Sequence, residues 1–285
     1  MTTAWSAQEW VSPGSRWYYS VRFIPPEPRP AILALHALQQ TLTAIPGTCS
    51  EPQVALAKLG WWQQQLQTLL EAPSKPLEHP LLQTLQPYRG RLAQAPEAWQ
   101  ALLAAVQLEL SAAPFSDVST LQHYHRQTGG NLAGLAGLLV DAEAAAIWPA
   151  LQDLGQALMR FELLYNIGRH TRQGRPYLAE EQCRPFNLLP DELHRTASTE
   201  AARALLATEL TACRDALREA LEAFPRAARY RQHWLIIQAE LALTVLTEIA
   251  RDGHQLLNHQ VDIPALRKLW IAWRVHRRER RRHRA

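Results

Sequence analysis

Acidic residues are missing from one long stretch of this 285-residue chain: neither Asp nor Glu occurs between Glu27 and Glu51. Hard cations such as Mg²⁺ take oxygen ligands, carboxylates above all, so this stretch offers no carboxylate cluster for one. Cysteine is scarce. Cys49, Cys183 and Cys213 lie far apart and form no CxxC pair, which argues against a thiolate metal site or a dithiol redox motif and leaves a reducing cytosol as the default compartment. There is no HExxH and no phosphate-binding glycine loop. Leu132 to Val140, the best apolar run, is closed by Asp141 and Glu143, well short of the ~18 residues of a membrane span. No transmembrane helix is therefore expected. MTTAWSAQEW at the start lacks the basic leader and apolar block of a signal peptide.

Apolar residues make up 47% of the chain, enough for a substantial core. Leu, Ala and Gln dominate over Val, Ile and Thr, a balance that favours helix over strand. The expected architecture is all-α, one helical domain over 15–275. A flexible lead-in, 1–14, precedes it and ends at Ser12-Pro13-Gly14. A basic tail, 276–285, follows. That tail, HRRERRRHRA, holds six arginines and one glutamate, so the formal charge of +4 resides there and the remaining chain is nearly neutral. Such a charge run reads as solvated and disordered.

The stretch Leu154 to Leu178, LGQALMRFELLYNIGRHTRQGRPYL, organises the rest. Leu151, Leu154, Leu158, Phe161, Tyr165 and Gly168 recur at helical spacing and predict one buried face. Asn166 and His170 are four apart, one turn from each other on a common face, and can reach one ligand. Glu162 extends that stripe and predicts a local hydrogen-bond chain. Gly174-Arg175-Pro176 ends the helix.

This stretch resembles the second conserved motif of squalene/phytoene synthases, L-G-x-A-F-Q-L-T-N-I-I-R-D-V-x-E-D-x-x-x-G-R-x-Y-L-P. Leu154-Gly155, Ala157, Gly174-Arg175 and Tyr177-Leu178 match without a gap. Further resemblance lies in Tyr18-Tyr19-Ser20, Pro25-Pro26, Ala31-Ile32, Leu35 and Ala37, in KLGWWQQQLQTL followed by His79-Pro80, and in the glycine-marked helix Leu121 to Val140. The ending IPALRKLWIAWR is similar to that of bacterial presqualene diphosphate synthases, the hopanoid branch of the family. The resemblance implies an isoprenoid-synthase-like helical bundle around a central cavity. It also implies a change of chemistry. The family's metal-binding aspartates fall on Thr43, Ala44 and Gly47 in the first motif and on Asn166 and His170 in the second. A family glutamate falls on Arg169, one arginine on Gln40 and the diphosphate-binding arginine on Tyr165. Realignment cannot restore the first cluster, because the acid-free stretch is longer than any reasonable shift.

From this pattern we expect no catalytic residues, no metal and no cofactor. The ligand-binding candidates are His36, Gln40, Tyr124, Glu162, Tyr165, Asn166, Arg169, His170 and Arg175. The favoured function is a degenerate family member that binds prenyl lipids or diphosphates or partners a catalytically competent synthase homologue. The alternative is an active head-to-head prenyltransferase with an altered site, which would need Mg²⁺. The arginine tail suggests weak attachment to an anionic membrane surface, placing the protein in the cytoplasm and peripherally at the inner face of the membrane. Specific nucleic-acid binding is not expected. Trp61 and Trp62 read as core packing, and Trp270, Ile271 and Trp273 as packed against the bundle. His123 and His125 read as surface or capping residues, and His36 as a satisfied core histidine. Gly129, Gly130, Gly134 and Gly137 fit either close helix contact or room for a prenyl chain.

Overall fold

The structure, a computed structural model, describes residue 11 and residues 13–49, 51–72, 74–110, 115–193, 195 and 199–284. Most of the expected lead-in, residues 1–10 and 12, lies outside the described residues; Val11 is buried. Among the described residues there is no strand.

Ser15 caps α1 (Arg16–Val21) by accepting from the Tyr18 amide at 3.1 Å. Pro25-Pro26 separates it from α2 (Arg29–Thr48). Then come α3 (Pro52–Glu71), α4 (Pro80–Leu85), α5 (Arg89–Leu92) and α6 (Pro96–Leu108). Proline opens α3, α4 and α6, where its missing N–H is one that would have no intrahelical acceptor. Asp117 caps α7 (Val118–His125), which passes through a π-helical turn, Arg126–Gly130, into α8 (Asn131–Val140). The remaining helices are α9 (Trp148–Tyr165), α10 (Ile167–Arg172), α11 (Glu180–Cys183), α12 (Glu200–Ala223), α13 (His233–Arg251) and α14 (Ala265–Arg284).

The hub is α9, which packs on α8 and its π-turn, α12 and α13. Its predicted face is the buried one: Leu151, Leu154, Leu158, Phe161 and Tyr165 all face the core. Each fully buried Leu or Phe contributes about 1.5–3 kcal/mol. The glycine question resolves toward close contact. A Cβ on Gly129 would lie 2.6 Å from the Gly155 carbonyl oxygen, and one on Gly155 would lie 2.4 Å from that of Gly129. The two backbones touch, so neither position accepts a side chain. Trp62 is buried against Trp61 and His79, with ring centroids 4.9 and 4.8 Å away, as core packing requires. By length and composition α13 could cross a membrane, but 67% of it is buried inside the bundle.

Several expectations need correction. The helix carrying the central stretch breaks at Asn166, which ends α9 and begins α10 (φ −96°, ψ 11°). His125 is buried rather than superficial, and burial, with Arg160 nearby, pushes its pKa down to about 3. His123 is exposed. The basic tail is no tail: α14 continues to Arg284. Its one acid is the reason. Glu279 is 1% exposed and pairs with Arg278 at 2.7 Å, Arg282 at 3.3 Å and Arg229 at 3.4 Å. Trp270 and Trp273 are not packed against the bundle; they are 52% and 45% exposed, and only Ile271 of that trio is buried.

Candidate functional site

A cavity of about 500 Å³ opens between α2 and the α8–α10 segment. Along α2 its wall runs from buried His36 and Gln39 through Thr43 to exposed Ala44, Gly47 and Thr48, so the C-terminal end of α2 marks the mouth. Across the mouth from that end of α2 stand Asn166, Arg169, His170 and Arg175. The sequence-predicted candidates Gln40, Tyr124 and Glu162 also reach the wall. Tyr165 does not. Its ring turns away to stack on Phe161 and to receive the Arg16 guanidinium at 4.3 Å. Leu35 and Phe161 are core residues outside its wall.

The predicted Glu162–Asn166–His170 chain does not form, because each member is used elsewhere. Glu162 takes both carboxylate oxygens to one Arg16 nitrogen at 2.8 Å. Burial pulls the Arg16 pKa down, but Glu162 more than offsets it and leaves it raised. The Asn166 amide donates to the Glu162 backbone carbonyl at 2.8 Å and accepts from Gln260 at 2.9 Å. His170 meets the edge of Tyr177 at 4.9 Å. Burial, then the Arg169 charge, pushes its pKa down to about 4, so it is neutral at pH 7.

Sequence reasoning missed the strongest cluster at the mouth. Glu109, at the end of α6, accepts from the hydroxyls of Tyr124 and Tyr177, the latter at 2.8 Å, and contacts Arg175. Its side chain is 2% exposed. Burial raises the pKa of both phenols, which therefore stay protonated and donate. Arg175 also donates to the Tyr177 hydroxyl at 2.5 Å. Tyr177 holds a left-handed backbone, φ 46°, a strain of about 1–3 kcal/mol that persists because the cluster fixes its ring. Beyond the turn at Gly174 (φ +69°), Arg175 crosses toward α2. Its terminal nitrogen is 2.8 Å from where a Cβ on Gly47 would sit. A guanidinium thus occupies the gap between the two helices.

Among the described residues no group of three or more His, Cys, Asp or Glu is arranged to hold a metal ion. Cys183 and Cys213 are buried and unpaired, and burial pushes both thiols up to about 12, so neither is a nucleophile at neutral pH.

Comparison with known proteins agrees with this architecture. The squalene/phytoene synthase family profile matches residues 12–267. The chain belongs to the squalene/phytoene synthase family. It is 23% identical over 269 residues to a phytoene synthase from Arthrospira platensis, covering 88% of this chain and 85% of that one. In three dimensions it is similar to a dehydrosqualene synthase crystallised with a ligand (TM-score 0.74, 16% identity, 93% and 92% of the two chains). It is also similar to squalene synthase HpnC from Alicyclobacillus acidocaldarius (TM-score 0.69, 17% identity, 87% and 93%). At these identities the solved structures establish the shared isoprenoid-synthase-like fold. Within that fold Arg169 and Arg175 stand at the mouth of the cavity.

Proposed function

We propose that this member of the family is non-catalytic and holds a single prenyl lipid or prenyl diphosphate in its cavity, serving a competent synthase homologue as a partner subunit. The observation that carries the reading is the Arg175 guanidinium lying in the gap between Gly47 and the α10 side of the mouth. Allylic ionisation needs the departing diphosphate neutralised, which in this family is work for magnesium on aspartates. The residues here are poorly matched to that ion. Glu162 and Glu109 are each committed to an arginine, and the Thr43 hydroxyl donates to the Gln39 carbonyl at 3.0 Å. The Asn166 oxygen accepts from Gln260. Arg169 and Arg175 would repel a cation yet attract a diphosphate or another anionic head. The cavity, about 500 Å³, is of the size that takes a small-molecule ligand such as a prenyl chain.

The test is incubation of the purified protein with farnesyl or geranylgeranyl diphosphate, with and without Mg²⁺. The expected result is saturable binding that ignores Mg²⁺, with no diphosphate released above a boiled control. Mg²⁺-dependent release with a C30 or C40 product would establish the rival reading, an active head-to-head prenyltransferase.

We also propose that α14 lies on anionic lipid at the inner face of the membrane. Leu266, Leu269, Trp270 and Trp273 are exposed on one helix, whereas the other exposed large apolar side chains, Val54, Leu56 and Leu189, are scattered. Arg274 and Arg277 lie over the Trp270 and Trp273 rings at 4.6 and 5.1 Å. Apolar side chains followed by arginines along one exposed helix suit a lipid headgroup boundary.

A further inference from the structure

The floor of the cavity is unlike a hydrocarbon sleeve. His36 on α2 and Gln238 on α13 both line it, 9% and 6% exposed. His36 Nδ1 and Gln238 Nε2 are buried with no hydrogen-bond partner in the protein. More than nine in ten buried polar groups are partnered, and an orphan carries the full cost of its lost hydration. Neither residue is needed to fill the core, where a Phe or Leu would serve without that cost.

Both are held in place. The His36 ring stacks on Trp17, with centroids 3.9 Å apart and planes 20° apart, and Trp17 in turn meets Trp234 at 5.9 Å. Trp234 stands one turn before Gln238 on α13 and lines the same floor. Gln39, also buried there, has its amide oxygen occupied by Gln40 at 3.1 Å. Burial pushes the His36 pKa down to about 3, so at neutral pH the ring is uncharged, with one nitrogen donating and the other accepting. Glu162, the carboxylate on the cavity wall, is paired with Arg16. An ionic ligand group would find no counter-charge at the floor, whereas a neutral oxygen would find both a donor and an acceptor.

Resting on the cavity reading above, we propose that the ligand carries a neutral oxygen function, a hydroxyl or carbonyl, at the chain end that lies against His36 and Gln238. It is an oxygenated isoprenoid rather than a plain hydrocarbon chain. The floor and mouth are well separated: His36 and Gly47 are eleven residues apart on α2, about 16 Å at 1.5 Å per residue. The anionic head at Arg169 and Arg175 and the oxygen at the floor therefore mark opposite ends of one extended molecule.

The experiment compares farnesyl diphosphate with 12-hydroxyfarnesyl diphosphate by titration calorimetry on the full chain and on Gln238→Leu and His36→Phe. The hydroxylated probe should bind the native protein about tenfold tighter, the worth of one satisfied buried partner. That preference should vanish in Gln238→Leu, while the plain probe binds the variant no worse than the native chain. Equal affinity of the two probes for the native protein overturns the proposal and leaves the cavity reading intact. Binding of neither probe overturns both. If His36→Phe does not fold, the native comparison and Gln238→Leu decide alone. A crystal of the complex with the hydroxylated probe in which only water meets His36 Nδ1 and Gln238 Nε2 also overturns it.

Discussion

At the cavity mouth each carboxylate has its own arginine, Glu162 with Arg16 and Glu109 with Arg175. Along α14 one carboxylate, Glu279, serves three, Arg229, Arg278 and Arg282. The arithmetic of charge runs opposite ways in the two regions. At the mouth, pairing uses up the acids and leaves no free oxyanion for a cation. On α14, one buried acid organises a cationic helix whose other arginines remain turned to solvent. A glutamate at the end of a helix and a glutamate in an arginine run look equally ordinary in sequence. Their burial makes the first a lock on the site and the second an anchor for the last turns of the chain.

The comparison is most exposed to Glu109→Ala. Removing it leaves the Arg175 charge and the Tyr124 and Tyr177 hydroxyls without their acceptor, a loss of about 3–5 kcal/mol in urea denaturation. Tyr177, freed to relax from its left-handed backbone, should then lose its contact with His170. Glu279→Gln should cost less, about 2 kcal/mol, because the amide keeps the volume and an acceptor oxygen, and two of its three arginine partners reach solvent, Arg278 in part and Arg282 well exposed. Circular dichroism should then report loss of helix confined to the end of α14. An ordering with Glu279 the costlier of the two would reverse the comparison.

Acid should act through the neutral histidines of the cavity side. His36 and His170 have folded pKa values pushed down by burial, to about 3 and about 4, against 6.5 when unfolded. As pH falls below 6.5 the unfolded chain takes up protons that the folded one refuses, so stability drops. Each group contributes up to about 1.4 kcal/mol per pH unit until its folded pKa is reached. Denaturation midpoints at pH 7 and pH 5 measure this, and His36→Phe should flatten the slope. A midpoint unchanged between those pH values would mean that the rings are not buried neutral. Smallest per residue is the vesicle effect, about 1 kcal/mol for each arginine near an anionic surface. Changing Arg277, Arg280, Arg281 and Arg284 to Gln should remove the salt-sensitive part of liposome binding. Trp270→Ser with Trp273→Ser should remove a part that persists in high salt. Loss of all binding on salt addition alone would show that the apolar stripe makes no contact with lipid.

The helical frame was legible in the sequence because it rests on spacing. The α9 face, the stop at Gly174, the tryptophan pair and the all-α class each follow from residues close along the chain. The cluster at the mouth was not legible, since Glu109 and Tyr177 are 68 residues apart and belong to no local pattern. Tyr177 appeared only as a motif match; its positive φ has no sequence signature. Two misreadings had signals that went unused. Ile271, Val275 and Glu279 recur every four residues and are the buried side of α14, and Leu121 and His125 share the buried side of α7 in the same way. Composition drew attention to charge in the first case and to polarity in the second, and in both the spacing was the better guide. The orphaned nitrogens of His36 and Gln238 lay beyond any pattern, because a missing partner is visible only once the surroundings are.

The wide turn at Arg126–Gly130 makes the molecule tolerant of a shorter chain at this place and intolerant of a longer one. It holds one residue more than a regular helix would over the same rise, so the extra residue is absorbed without turning α7 against α8. Tyr124 before the turn and Leu132 and Ala133 after it therefore face one cavity. Deleting a single residue there, Gln127 for example, would let the helix run regular through the junction with Tyr124 still aimed at Glu109. Inserting one more, with the bulge already used, would turn α7 by about 100° and swing the Tyr124 hydroxyl away from Glu109. The crossing at Gly129 and Gly155 would still hold α8 against α9, so this fold would read the insertion as a lost site on an intact scaffold and the deletion as nearly silent.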